Sequence, residues 1–183
     1  MMEKNNASAL PFSRSYWVVP GKLLAGAYPG SPDSKKMTSN LKGLVACGMR
    51  LVVNLMEENE TDHFGRPFSA YEEELKKIGE AGGLNISCPR FPIADVNVPS
   101  RELMRSILNE IDRSLDRDLP VYVHCWGGRG RTGTVIGCYL VRHGLTGTEA
   151  LKRIEDLRKY EPTGRLPSPE TIRQQKMVRT WKE

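Results

Sequence analysis

The chain has 183 residues, 39% of them apolar and 27% charged, with a net charge of +5, the profile of one ordinary globular domain. That composition excludes disorder and low-complexity architectures, and no apolar run reaches the roughly 18 residues a membrane span needs. The polar stretch Met1 to Leu10 has no apolar signal core, and the four cysteines are too sparse for a disulfide scaffold; a cytoplasmic chain with reduced thiols is expected.

In chain order, residues 1–20 are polar and then Pro-punctuated, and read as an N-terminal segment draped over the surface of a single domain spanning 21–183. Lys22 to Ala27 reads as a short strand, and Pro29 to Asp33 as a turn. Met37, Leu41, Leu44 and Val45 recur at helical spacing between Ser34 and Cys47, and Gly48 stops that helix. Leu51 to Leu55 is a buried-strand run. Ser69 to Glu72 has the form of a capping box opening a helix to about Glu80. Leu84 to Phe91 is a further strand candidate, followed by a loop from Pro92 to Pro99. Ser100 caps a helix carrying Leu103, Met104, Ile107, Leu108, Ile111 and Leu115 on one stripe. Val121 to His124 is another core strand. A Gly-rich turn over 125–131 leads into a helix from about Thr132 to His143. Thr146 to Glu149 is a second capping box, with its helix running to about Tyr160, and Ser168-Pro169-Glu170 is expected to open the last helix. Strands alternating with helices predict an α/β fold with a small central, mostly parallel sheet flanked by helices.

Charge is uneven along the chain. Residues 1–119 hold 15 basic and 16 acidic side chains, net −1, and residues 120–183 hold 12 and 6, net +6. A basic C-terminal third suits anionic ligands. Dense basic clusters with interleaved aromatics are absent, which argues against a nucleic-acid partner. No polybasic run or lipid-anchoring amphipathic segment is evident, so no stable membrane insertion is expected.

The informative stretch is His124-Cys125-Trp126-Gly127-Gly128-Arg129-Gly130-Arg131-Thr132-Gly133. Cys125 stands at the end of a buried strand, three glycines follow within six residues, and a helix begins. Such a turn directs backbone N–H groups at an anion, and the helix N-terminus adds partial positive charge at the same spot. A thiol there is expected to be acidic. Arg131 supplies a permanently charged planar fork that matches two phosphate oxygens. Cys47, Cys88 and Cys138 lack such company and read as buried small hydrophobes. No C-x-x-C pair suggests zinc, and neither a metal nor an organic cofactor is implied.

This stretch resembles the H-C-x5-R-S/T signature of the cysteine-dependent protein tyrosine phosphatase superfamily. Pro92-Ile93-Ala94-Asp95, 30 residues upstream of Cys125, looks like the general-acid loop of its compact, dual-specificity-like members, and Ser168 to Trp181 resembles the terminal helix of a bacterial-type subgroup. The resemblance implies a phosphotyrosine or mixed phosphoprotein phosphatase acting as a monomer. Cys125 is then the nucleophile and Asp95 the general acid and later base. Arg131 and the loop residues Trp126, Gly127, Gly128, Arg129 and Gly130 hold the phosphate. Thr132 hydrogen-bonds the Cys125 sulfur, and His124 supports the loop from behind. Gln174 or Gln175 is a candidate to position the second-step water. Arg129, where relatives carry an aliphatic or small residue, either recruits a second phosphate or braces the loop. Trp126 either lines the pocket mouth or packs under the acid loop. Glu57, Glu58 and Glu60 follow the LVVNL strand, at the end where α/β sites form, and read as surface charge, with a contact from one of them to the site as the alternative. Three alternatives stand beside this reading: a phosphoinositide or inositol phosphate phosphatase, a non-catalytic phosphate-binding module, and different chemistry on the same kind of loop, either sulfur transfer or arsenate reduction, which needs a resolving thiol among Cys47, Cys88 and Cys138.

Overall fold

The computed structural model describes residues 9–183. In chain order it contains β1 (Ser15–Val19), β2 (Leu23–Ala27), α1 (Ser34–Ala46), β3 (Leu51–Asn54), α2 (Glu72–Ala81), α3 (Arg101–Leu115), β4 (Val121–Cys125), α4 (Gly130–Arg142), α5 (Gly147–Arg158) and α6 (Ile172–Arg179). The four strands lie in the order β1-β2-β4-β3. β2, β4 and β3 run parallel, and β1 adds antiparallel to β2 at the edge. This is the α/β, mostly parallel sheet that the sequence predicts.

Alternation along the strands splits the core into two layers. Leu23, Ala25, Leu51, Val53, Val121, Val123 and Cys125 face the side covered by α3, α4, α5 and α6. Leu24, Val52 and Tyr122 face the opposite side with Leu41, Leu44 and Leu75 of α1 and α2. Parallel strands buried on both faces read as unbroken apolar runs, which is why LVVNL and VYVHC are recognisable. Ala27 pairs with Cys125, and Asn54 with His124. The carboxyl ends of three strands therefore emerge together, where open α/β sheets place their sites.

Helix starts follow local chemistry. Asp33 caps α1 by accepting from Lys35 and Lys36 N–H groups, and Ser100 caps α3. Thr146 and Glu149 form the expected capping box. Each such cap contributes about 1 kcal/mol.

Five features differ from the sequence expectation. Within the surface segment assigned to 1–20, Ser15–Val19 is the edge strand β1, with Tyr16 and Val18 buried against α5 and the sheet; residues 1–8 lie outside the described residues. Leu84 to Phe91 forms only isolated bridges, Leu51 to Ser87 and Asn54 to Arg90, because Pro89 has no N–H to continue the ladder. Ser69 does not cap α2: its carbonyl accepts from the Tyr28 hydroxyl, and the Glu72 carboxylate turns to the Tyr71 N–H and to Arg90. α4 begins at Gly130, two residues before Thr132. α6 begins at Ile172, where Thr171 and Gln174 build a capping box, and the Ser168 hydroxyl instead donates to the Arg129 carbonyl at 2.8 Å.

Candidate active site

The loop after Cys125 is folded by outward bonds from its carbonyls. Trp126 O accepts from Tyr28 N–H at 3.1 Å, Gly127 O from Arg14 Nη2 at 2.9 Å, and Arg129 O from Gly133 N–H at 3.1 Å. Among the described residues, the N–H groups of Trp126 to Arg129 donate to no protein acceptor, and the first turn of α4 has no side-chain cap. Carbonyls outward and N–H groups free is the electrostatic form of an anion nest at a helix N-terminus. Gly128 makes this turn possible. It takes φ +69, and a Cβ there would run into the backbone of Gly26 and Ala27, so no other residue fits.

Arg131 reaches back across the loop. Its two terminal nitrogens grip Glu60 at 2.6 and 2.7 Å, Nη1 donates to Ile93 O at 3.0 Å, and Nη2 pairs with Asp95 at 2.9 Å. Nε is buried and bonds to no protein atom. Burial works against the guanidinium charge, but the Glu60 hydrogen bonds and the charges of Cys125, Glu60 and Asp95 outweigh it and keep the group protonated. Glu60 is the residue that the sequence reading favours as surface charge, with a site contact only as the alternative. It sits beyond the end of β3 on a segment that Asn54 and Arg90 tie down: Asn54 accepts from Met56 N–H, and Arg90 donates to the Met56 and Glu57 carbonyls while paired to Glu72. Its position after a parallel strand was the available signal.

His124 lies fully buried behind the nucleophile. Its Nε2 is 2.6 Å from the Tyr71 hydroxyl, its Nδ1 is 3.4 Å from the Cys125 carbonyl, and its ring stacks on Tyr122. Burial drives its pKa down to about 3; the Cys125 carbonyl bond opposes this and the Arg90 and Arg131 charges add to it. The neutral imidazole donates from Nδ1 and accepts the Tyr71 proton at Nε2. The ring thus lies behind the loop in contact with the Cys125 backbone carbonyl.

Cys125, Asp95, Trp126, Gly127, Arg129 and Gly130 share one cavity of about 280 Å³, bordered also by Arg14, His63, Val96, Thr163, Leu166 and Glu170. Arg158, buried with Glu161, holds the far wall by donating to the Thr163 and Leu166 carbonyls. Trp126 lines the cavity and packs on His63 and Phe68, with ring centroids 4.4 and 5.4 Å apart. Arg129 is paired with Glu170, so its charge braces the loop against the segment before α6.

Two placements depart from expectation. The Thr132 hydroxyl is buried and bonds the Gly26 carbonyl at 3.5 Å, not the Cys125 sulfur. Gln174 is buried too: its amide oxygen accepts from the Glu170 and Thr171 N–H groups, and its nitrogen donates to Asn97 O on the acid loop at 3.0 Å. It therefore ties α6 to the Asp95 loop, and the half-buried Gln175 donates to Pro169 O at 3.1 Å. Of the remaining thiols, Cys138 is buried and Cys47 and Cys88 are half-buried; burial pushes Cys88 and Cys138 up to about 12.

The model of the DSP-PTPase phosphatase domain of Swiss Army Knife proteins matches residues 12–180. The chain belongs to this phosphatase family. It is 33% identical over 165 residues to the Arabidopsis thaliana phosphatidylinositol 3,4,5-trisphosphate 3-phosphatase and protein-tyrosine-phosphatase PTEN1, covering 88% of this chain and 36% of that protein. It is 26% identical to the Caenorhabditis elegans tyrosine-protein phosphatase cdc-14, covering 74% and 18%. The phosphatase domain thus spans well under half the length of these relatives. Its fold matches that of kinase associated phosphatase, at 22% identity and TM-score 0.65, over 85% of this chain and 83% of that one. It also matches PTPMT1 bound to PI(5)P, at 23% identity and TM-score 0.65, over 90% and 92%.

Proposed function

We propose that this domain hydrolyses phosphomonoesters through a cysteinyl-phosphate, acting on phosphotyrosine or mixed phosphoprotein substrates. The observation that carries the proposal is that Cys125 and Asp95 face one cavity floored by the phosphate loop, with Arg131 ion-paired to Asp95. The Cys125 thiolate attacks phosphorus in line, forming the S–P bond as the ester P–O bond breaks. Asp95 gives its proton to the leaving oxygen, then takes one from the water that cleaves the S–P bond. Arg131 Nε and the loop N–H groups hold the equatorial oxygens as charge shifts toward the transition state. Glu60 fixes the guanidinium plane, His124 fixes the Cys125 backbone, and Gln174 fixes the acid loop. Thr132 acts from beneath the loop by packing. Reduced thiols suit a cytoplasmic setting, and the chain works as a monomer in this reading.

A second reading is a phosphoinositide or phospholipid phosphatase. It is favoured by the names of the Arabidopsis PTEN1 relative and of a phosphatidylglycerophosphate phosphatase from the same organism, 27% identical over 96 residues. The Arg129–Glu170 pair weighs against it, because the extra cation is already neutralised.

The test is hydrolysis of a fluorogenic aryl phosphate in EDTA, wild type beside Cys125→Ser. Turnover by wild type alone, blocked by vanadate, is the expected result. Equal turnover by both proteins removes Cys125 from the mechanism, and no turnover by folded, reduced wild type leaves a phosphate-binding module.

A further inference from the structure

A second cavity, of about 390 Å³, adjoins the catalytic one, and Arg14 and Trp126 line both. Trp126 is the partition. Its ring is held by His63 and Phe68, and Phe68 in turn packs edge-on against Tyr28 at 5.1 Å. The ring is thus packed on two sides, with the second cavity open beside it.

Its lining combines two chemistries. Phe12, Tyr28, Pro32, Pro67, Phe68 and Trp126 supply apolar and aromatic wall. Arg14, Lys36 and Arg66 supply positive charge. Arg66 is paired with Asp62, which is the carboxylate in this lining. Among the described residues, Arg14 and Lys36 form no ion pair. Arg14 is fixed by its bond to Gly127 O, and Lys36 stands in the first turn of α1, exposed to solvent. Arg129 of the catalytic cavity and the buried Arg131 are already matched by carboxylates, Arg129 by Glu170 and Arg131 by Glu60 and Asp95. Positive charge outside any ion pair thus sits at Arg14, which borders both cavities and feels the Glu161 carboxylate, and at Lys36 beyond Trp126.

We infer that this cleft is a substrate subsite for the acidic side chain of a residue flanking the phosphorylated tyrosine of a peptide. The inference rests on the phosphatase reading and names the substrate class of that site. A Glu or Asp side chain offers an apolar stem for the aromatic wall and a carboxylate for Arg14 and Lys36. A polyphosphorylated inositol fits less well: the wall beside the cations is apolar, and the Glu170 and Asp95 carboxylates face the catalytic cavity, where a second phosphate would sit.

The test measures binding to the Cys125→Ser protein, so that it stands apart from turnover. Paired phosphotyrosine peptides differ only by Glu or Gln at one flanking position, scanned from one side of the phosphotyrosine to the other. The expected result is a preference for Glu of about three- to fivefold at one or two positions, the size of a partly exposed ion pair, fading as salt rises. Lys36→Ala and Arg14→Ala each shrink the Glu-to-Gln ratio, a readout in which any general loss of affinity cancels. A ratio near one at every position in the Cys125→Ser protein, or a ratio that neither substitution moves, overturns the subsite. Tighter binding of an inositol bisphosphate than of any Glu peptide also overturns it. Aryl phosphate turnover by wild type, measured alongside, reports separately on the phosphatase reading.

Discussion

Asp95, which lines the catalytic cavity, forms an ion pair at 2.9 Å with the buried Arg131. The two groups that must act on opposite ends of the scissile bond are thus bonded to each other. In the proposed mechanism, a phosphate held by Arg131 competes with Asp95 for Nη2 and frees the carboxyl for the leaving oxygen. Removing the acid then costs most where the leaving group most needs a proton. Asp95→Ala is expected to slow an alkyl-like or unactivated aryl phosphate by about 100-fold or more, and a nitrophenyl-type ester far less. Steady-state kcat across a series of leaving groups checks this; equal slowing across the series removes Asp95 from the acid role.

Glu60 holds both terminal nitrogens of a buried guanidinium. Glu60→Gln keeps the shape but removes the charge and one pair of acceptor lone pairs. Arg131 then leans on Asp95 as its remaining carboxylate, which withholds the acid from the substrate. The expected outcome is a fall in kcat of about tenfold or more, with stability reduced by roughly 3 kcal/mol because a buried charge loses its partner. Glu60→Asp recovers part of kcat. Urea unfolding beside kinetics separates the two effects, and an unchanged kcat shows that Glu60 is only structural.

His124 predicts a pH dependence of stability. Its folded pKa of about 3 lies below the ordinary histidine value near 6.5. The unfolded chain therefore binds the extra proton between those two values. Stability is full above about pH 6.5 and declines as pH falls toward 3, at up to about 1.4 kcal/mol per pH unit from this residue. Urea midpoints from pH 7 to pH 4 should show the decline, and His124→Asn should flatten it. A wild-type profile no steeper than that of His124→Asn contradicts a buried neutral imidazole.

Arg129 and Glu170 predict a change of specificity. Glu170→Gln leaves Arg129 in place and removes the charge that neutralises it. Inositol bisphosphates should then gain relative to a simple aryl phosphate, by about three- to tenfold in kcat/KM. Arg129→Ala in the wild-type background should shift that ratio the other way, because it leaves the Glu170 carboxylate unneutralised beside the cavity.

The sequence carries the sheet and the cysteine loop at its carboxyl end well, for physical reasons. Parallel strands buried on both faces leave continuous apolar runs, and a Cys followed by glycines, Arg and Thr between strand and helix has few other uses. What it hides are long-range partnerships. Ser15–Val19 reads as surface because an edge strand followed by Pro20 and Gly21 lacks a long apolar run. Glu60 reads as solvated because its partner lies 71 residues away. Gln174 looks exposed on a terminal helix, yet it faces inward because Thr171, not Ser168, starts that helix. Thr132 falls beneath the loop because α4 begins at Gly130, which turns its hydroxyl toward Gly26.

The central claim is a phosphoryl group carried on the Cys125 sulfur. Intact-mass measurement of Asp95→Ala protein, acid-quenched during turnover of an activated aryl phosphate, tests it most directly, because loss of the base that activates water should let the intermediate build up. The account predicts one added phosphoryl group, mapped to the peptide containing Cys125 and missing when Cys125→Ser is added. Turnover that continues with no phosphoryl group ever on Cys125 would contradict it.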